Sequence, residues 1–488
     1  MASNRSSSFI ENEYSSLPHF LVVTYPAQGH INPCLRLARR LSLLAPAGSH
    51  ITFSTALTAH RLMFPSSHDQ PVHQGPISFI PYSNGFDAGF DSRIHDADHH
   101  LHQLRHHGSI TLSSIITSSR HRRRPVTCII YSSFLSWVAD LAASLRIPAF
   151  LFWIQSATAF AAYWHYFHNF HVGISAAAFD PCSSVTLPLL PPMRAGDLPS
   201  FLSITSPDHP DAKLLPHLKD AFLRSPELRV LANTSEELET GAFESVAAEV
   251  KIVGVGPLAG EIWEASLFEE DEEWERHIEW LDKQKQSSVV YVSFGSMAVM
   301  SEKEVKEIER GLRDTRRPFF WAARKEISTV CELNAGTEDG KAGKVVRWCR
   351  QERVLRHKAV GCFVTHCGWN STLEGLACGV PAVAVPRWTD QPTNAWLMER
   401  GWGTGIRAAV AAEGVPVAAE EVTRCVELVM GGGRIGEEIR RKAKEWKEKV
   451  REATVEGGPS DQNLRAFVED HLSELHLTIL DDCELQLS

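Results

Sequence analysis

Short apolar runs that stop at a glycine or proline and give way to helical spacing recur along this chain, and that alternation restricts its fold more than any other feature. Phe20, Leu21, Val22 and Val23 read as a buried strand closed off by Pro26, and Leu35, Leu37, Ala38 and Leu41 continue at helical intervals after a turn over 27–33. Residues 126–131 read as a second strand, followed by Trp137, Ala139, Leu141, Ala142 and Leu145 at helix spacing and by a strand over 149–152. Strands that alternate with helices predict an α/β fold built on parallel, doubly wound sheets. The pattern breaks at Val253, Gly254, Val255, Gly256 and Pro257 and at the acidic run 269–273, then restarts with a strand over 288–294 and a helix through Val305, Ile308 and Leu312. A chain of 488 residues is long enough for two cores. The expected organisation is a disordered, Ser-rich N-terminus (1–17), a first α/β domain (18–252), a linker (253–275), a second α/β domain (276–470) and a C-terminal tail (471–488).

A formal net charge of -10 argues against a nucleic-acid partner, which needs a broad positive surface. The basic run Arg120, His121, Arg122, Arg123 and Arg124 precedes an apolar strand and reads as a solvated loop. No run of about 18 apolar residues is present, so no membrane insertion is expected. The first strong apolar segment, near Phe20, reads as a strand and not as a signal-peptide core. Ten scattered cysteines fit reduced thiols and a cytoplasmic setting, and Cys362 and Cys367 lack the spacing of a zinc pair. The histidines His95, His99, His100, His102, His106 and His107 share helical intervals, but Leu101, Leu104 and Arg105 among them fit an amphipathic surface helix, so no metal is expected.

Neither a G-x-G-x-x-G fingerprint nor a G-x-x-x-x-G-K-[ST] loop occurs, which removes the usual support for NAD or ATP. The most informative stretch is 348–391. Phe363, Val364 and Thr365 end a strand, His366 to Ser371 form a loop, and a helix follows from Thr372. A helix N-terminus with free N–H groups suits a pyrophosphate, and Gly368 admits close backbone approach. His366, Asn370 and Ser371 add side-chain donors, Glu374 can accept both hydroxyls of a ribose, and Trp348 offers a face for a base. A single Trp is usually a core residue and an Asp-Gln pair usually a turn; the coincidence of many types at fixed spacing is what carries the reading. His30 follows a strand and a tight turn, so its imidazole projects at the carboxyl end of a sheet, where a neutral ring can take a proton.

This 44-residue stretch resembles the signature of plant secondary-product UDP-glycosyltransferases. The resemblance extends over nearly the whole chain, through residues 26–33 and 292–296. It implies two Rossmann-like domains facing across a cleft, the GT-B arrangement. It also implies that Trp348 stacks on uracil with Cys349 and Gln351 beside the nucleoside, and that Glu374 holds the ribose. Gly295, Ser296, His366, Gly368, Asn370 and Ser371 would surround the phosphates, Asp390 and Gln391 would grip the sugar, and Trp369 would pack beside it. A final Gln in this box is associated with glucose. His30 would be the general base of a single inverting displacement from UDP-glucose, without cofactor or metal, onto a small acceptor, in a monomeric enzyme.

The family commonly places an Asp after the strand that ends here at Tyr131 and Ser132. A serine can orient the Nδ1 of His30 but cannot stabilise an imidazolium as a carboxylate does, which favours acidic acceptors: phenols, or carboxylic acids that give glucose esters. Asp140 is a possible substitute. The Trp348-Cys349 pair and residues 81–87 resemble a subgroup of flavonoid and anthocyanin O-glucosyltransferases and glucose-ester-forming enzymes, in which Arg350 and Arg353 are unusual. Residues near Phe86, Gly89, Trp153, Gln155 and Met193 are candidates for the acceptor wall. A terpenoid or hormone glucosyltransferase, and a catalytically silent UDP-sugar-binding protein, are the alternatives.

Overall fold

The computed structural model describes residues 17–90, 97–206, 208–223, 227–259, 272–323, 343–410 and 415–487. The disorder expected over 1–17 and most of the expected linker fall outside them, as does His95.

The first sheet is built from β1 (His19–Val23), β2 (His50–Ser54), β3 (Val72–Gln74), β4 (Ile77–Phe79), β5 (Cys128–Ser132) and β6 (Ala149–Trp153), then, beyond a small separate pair β7 (Ser184–Val185) and β8 (Met193–Arg194), from β9 (Arg229–Ala232) and β10 (Lys251–Gly254). Its order is β10-β9-β6-β5-β1-β2-β4-β3, and every pairing but the antiparallel β3/β4 is parallel. The second sheet comprises β11 (Val289–Ser293), β12 (Phe319–Ala322), β13 (Gly343–Val346), β14 (Val360–Thr365), β15 (Ala382–Ala384) and β16 (Gly405–Arg407), all parallel, in the order β13-β12-β11-β14-β15-β16.

Both sheets are covered on two faces, which explains why their central strands are continuous apolar runs. Along β1, Leu21 and Val23 join one core cluster while Phe20 and Val22 join the other. Along β11, Val290 and Val292 face one cluster, Val289 and Tyr291 the second. Strand order reverses at β1 in the first sheet and at β11 in the second. Such a switch point opens a crevice at the carboxyl ends of the strands, where ligands of open α/β sheets bind.

The helices that matter to the site are α1 (Gln28–Leu44), α2 (Ala97–His121), α3 (Gln351–Arg356), α4 (Trp369–Cys378), α5 (Gln391–Trp396) and α6 (Pro459–Leu487). The last one departs from the expected limits: it runs unbroken through residue 470, and it packs on the first sheet. Leu464, Phe467 and Val468, an apolar stripe at helical spacing, enter the cluster of Phe20 and Val22. Asp461 pairs with Arg40 of α1, and Asn463 donates to the Gly254 carbonyl at 2.8 Å. The chain thus returns to its first core.

Helix α2 carries the described histidines of the run, of which His100 is buried, and Arg122 to Arg124 beyond it are exposed. Among the described residues no three His, Cys, Asp or Glu side chains are placed to hold a metal ion, and no helix is long and apolar enough to cross a membrane. The eight cysteines whose side chains are described are free thiols.

Candidate active site

A cavity of about 790 Å³ lies between the carboxyl ends of the two sheets. The backbone leaves β1 through Tyr25 and enters α1 at once, so His30 falls in the helix's first turns and faces this space. Ser132 closes β5, the strand next to β1, and its Oγ lies 3.1 Å from His30 Nδ1. The Tyr25 N–H donates to the same oxygen at 3.0 Å. With one lone pair so engaged, Oγ can accept Nδ1–H through the other, and that tautomer leaves the Nε2 lone pair as the base.

The rings of Tyr25 and Phe134 stand 5.2 and 6.1 Å from the imidazole, centroid to centroid. Burial among them pushes the His30 pKa down to about 3, so the ring is neutral across the physiological range. Asp140 does not stand in for the missing carboxylate: it sits 45 % exposed on the outer surface and pairs with Arg105 at 3.3 Å.

Across the cavity, Gly295 ends β11 with φ +75°, and Gly368 precedes α4. A Cβ on Gly295 would come within 2.7 Å of His366 Nε2, and one on Gly368 within 2.6 Å, so only glycines let the two loops close on that imidazole. Burial pushes His366 down to about 4, against a smaller opposing effect of the Ser293 backbone. Helix α4 begins here with no acidic residue in its first turn, so its positive end stays uncompensated toward the cavity.

Asn370 and Ser371 occupy that first turn, and Glu374 follows one turn later. Gln351 ties them together: its Nε2 donates to Ser371 Oγ at 2.9 Å and to Glu374 Oε2 at 2.7 Å, while its Oε1 accepts from the Tyr291 hydroxyl at 3.1 Å. Cys349 Sγ lies 3.4 Å from that hydroxyl, and burial pushes its thiol up to about 12, which makes it an inert wall. Trp348 stays 40 % exposed and lines the cavity.

Asp390 precedes α5 and accepts from Asn394 Nδ2 at 2.6 Å and the Thr389 hydroxyl at 2.8 Å; burial raises its carboxyl pKa. Gln391 accepts the N–H groups of Arg387 and Trp388 through Oε1, at 2.9 and 3.2 Å, and so keeps its amide donors for a ligand. Trp369 lines the cavity while its Nε1 donates to the Asn233 carbonyl of the first half at 2.9 Å.

Ser296, like the residues just described, borders this one cavity; Ser132 alone of the candidates stands behind it, reached through His30. Arg350 and Arg353 also line it. The cavity wall lies beside the positions named for the acceptor more than at them, with Phe90 next to Gly89 and Ile154 next to Trp153. Trp153 and Met193 are buried in the first core, because β6 and β8 turn those side chains inward, and Phe86 stacks behind Phe90 and His100; of that set only Gln155 reaches the cavity. Tyr25, His100, Phe134 and Arg36 also line the cavity, a place the sequence assigned to none of them; His100 had the pattern of an amphipathic surface helix. An arginine within the apolar face of α1, beside Leu35 and Leu37, was a usable signal, since such a residue is rarely buried unless paired.

The sequence profile described as "UDP-glucoronosyl and UDP-glucosyl transferase" matches residues 272–443. UDP-glycosyltransferase 75C1 of Solanum lycopersicum is 41% identical over 469 residues, covering 92% of this chain and 98% of that one. Phloretin 4'-O-glucosyltransferase of Malus domestica is 38% identical over 478 residues, covering 92% and 97%. The crystal structure of Os79 from O. sativa in complex with UDP superposes with a TM-score of 0.77 at 28% identity, covering 92% of this chain and all of that one. Two facing Rossmann-like domains of the GT-B type, a cleft between their switch points and this likeness over almost the whole chain lead to one conclusion: the protein belongs to the UDP-glycosyltransferase family.

Proposed function

We propose that this enzyme transfers glucose from UDP-glucose, with inversion, to a phenolic hydroxyl of a small, flat acceptor. The observation that carries the reading is the His30–Ser132 pair: a neutral, weakly basic imidazole at the cavity with a hydroxyl, not a carboxylate, behind it. In the reaction the acceptor oxygen attacks the anomeric carbon, its proton passes to His30 Nε2, and the bond from that carbon to the UDP oxygen breaks. The N-terminus of α4, with Ser296, His366, Asn370 and Ser371, takes up the charge that develops on the departing pyrophosphate. Trp348 and Gln351 hold the base, Glu374 the ribose, and Asp390 and Gln391 the sugar hydroxyls. A base this weak removes the proton of a phenol far more readily than that of an aliphatic alcohol, which also disfavours terpenoid alcohols.

Aromatic and aliphatic side chains, among them Tyr25, Leu101, Phe134, Ile154 and Leu214, wall the acceptor side. The relative from Malus domestica is named for phloretin, a phenol. Among the described first-half residues that line the cavity, Arg36 is the only Lys or Arg, and Glu374 and Glu352 already engage it. A carboxylate acceptor therefore lacks a counter-ion there. Ester formation stands as the second reading because a carboxylate arrives ionised and needs no base. A catalytically silent binder fits less well, since His30 faces the cavity with its orienting hydroxyl in place. We further propose a cytoplasmic monomer, on the reduced-thiol composition; light scattering of the purified chain tests the second half of that statement.

The deciding experiment incubates the protein with UDP-glucose and a panel of flavonoid phenols, carboxylic acids and terpenoid alcohols, follows UDP release, and treats each product with mild alkali. Alkali-stable products from phenols are expected. Alkali-labile products from acids alone would replace the phenolic reading with the ester one, and absence of UDP release with every acceptor would end both.

A further inference from the structure

One buried guanidinium crosses from the helix of the general base into the ribose end of the donor site. Arg36 lies on α1 six residues after His30, about 9 Å along the helix axis at 1.5 Å per residue. Its Nη2 reaches Glu374 Oε1 at 3.2 Å and Glu352 Oε1 at 2.7 Å, and its Nη1 donates to the Leu258 carbonyl at 2.8 Å. All three charged side chains are buried. At the other end of the same helix segment, Asn370 Nδ2 donates to the Gly29 carbonyl at 2.9 Å. Asn370 and Glu374 are one turn apart on α4, so the first turns of α1 and α4 are tied together at two points, on either side of His30.

We propose that Arg36 is a positioning residue: it holds Glu374 in the orientation that receives the ribose and fixes the distance between the donor and His30. The inference rests on the assignment of Glu374 to the ribose. Each carboxylate oxygen of Glu374 has one protein donor, Arg36 on Oε1 and Gln351 on Oε2, which leaves each a further lone pair for a ribose hydroxyl. Without the guanidinium, Glu352 and Glu374 would meet an incoming nucleotide anion as two carboxylates that have lost their shared cation, Arg356 lying 3.6 Å from Glu352. The helix that presents His30 would also lose one of its ties to the second half, and small displacements of a catalytic group are costly in rate. Both nucleotide affinity and turnover therefore depend on a residue of the opposite domain.

The test compares wild type with Arg36→Met and Arg36→Lys by UDP titration calorimetry, by kcat at saturating UDP-glucose with the best acceptor of the panel, and by thermal unfolding. Arg36→Met is expected to weaken UDP binding about tenfold and to lower kcat about tenfold. Arg36→Lys, one charge without the planar fork, is expected to bring UDP affinity back to within about threefold while kcat stays several-fold low. A melting temperature that falls while Kd and kcat both stay within about twofold of wild type would overturn the proposal, and unchanged Kd and kcat in Arg36→Lys would overturn it even where Arg36→Met fails to fold. Wild-type protein that does not bind UDP would instead remove the donor assignment, and this inference with it.

Discussion

The two walls of the cleft are made differently. The donor wall draws most of its groups from one contiguous stretch, 348–391, and its side chains are held by one another: Gln351 by Tyr291, Ser371 and Glu374, Asp390 by Asn394, Gln391 by the backbone of its own turn. The acceptor wall gathers Tyr25, Phe90, His100, Phe134, Ile154 and Leu214 from separate segments, and it is mostly apolar. A ligand with a fixed set of charges and hydroxyls needs donors and acceptors at fixed places, so the side chains that serve it must be pre-oriented. An apolar acceptor needs a shape, which many residue combinations supply.

The contrast is most exposed at His30. Replacing it by Ala is expected to lower kcat by about 10²–10⁴-fold while the Kd for UDP stays within about twofold, because the base lies on the acceptor side of the reacting carbon; turnover within tenfold of wild type would remove the general-base role. Glu374→Ala should show the reverse emphasis, with UDP affinity down about 10²-fold in calorimetry, since the loss also leaves Arg36 short of a buried partner. Unaltered UDP binding in a folded Glu374→Ala protein would contradict the ribose assignment. Ser132→Asp should raise the His30 pKa and improve rates with aliphatic alcohols about tenfold relative to phenols, measured as a ratio of kcat/KM. An unchanged ratio would mean that acceptor shape, not basicity, excludes alcohols.

Acid should separate the halves most weakly. At the base of the first sheet, burial pushes His19 and His471 down to about 4; His19 Nε2 lies 2.8 Å from Thr52 Oγ1, and His471 Nε2 lies 2.9 Å from Thr127 Oγ1. His19 also meets the ring of His50, whose pKa is lowered as well, with the Arg124 charge nearby. The unfolded chain takes up protons near pH 6.5 and the folded one near 4, so this contribution is fully present above pH 6.5 and is lost as pH falls toward 4. In the second half, His366 is the comparable histidine, likewise at about 4. Amide hydrogen exchange at pH 5 against pH 7 should therefore show β1, β2 and the turns of α6 around His471 loosening before β11 and β14; equal protection in both halves would refute the asymmetry.

The strands around 19–23, 128–132, 149–153, 289–293 and 360–365 were legible because each is written in neighbouring residues: a strand buried on both faces is an apolar run, and a helix start after a glycine loop is a local pattern. The order of the strands, the return of α6 to the first core and the burial of Trp153 were not, since the same apolar residues fit a wall or a core equally well. His100 shows the limit within one element: the five described histidines of the run share α2, and packing against Phe86 and Phe90 buries that one.

Local periodicity and one dense motif carried the fold class, the family, and the residues that meet His30 at one cavity. What stands behind His30, and what crosses the cleft, came from packing. Ser132 is 102 residues from His30 and meets it because β5 lies beside β1; Arg36 is 338 residues from Glu374 and meets it because two switch points face each other. The physical reason is the range of the forces involved: propensity and amphipathic spacing act within a few residues, whereas a hydrogen bond or ion pair between distant segments exists only once hydrophobic burial has brought their elements together.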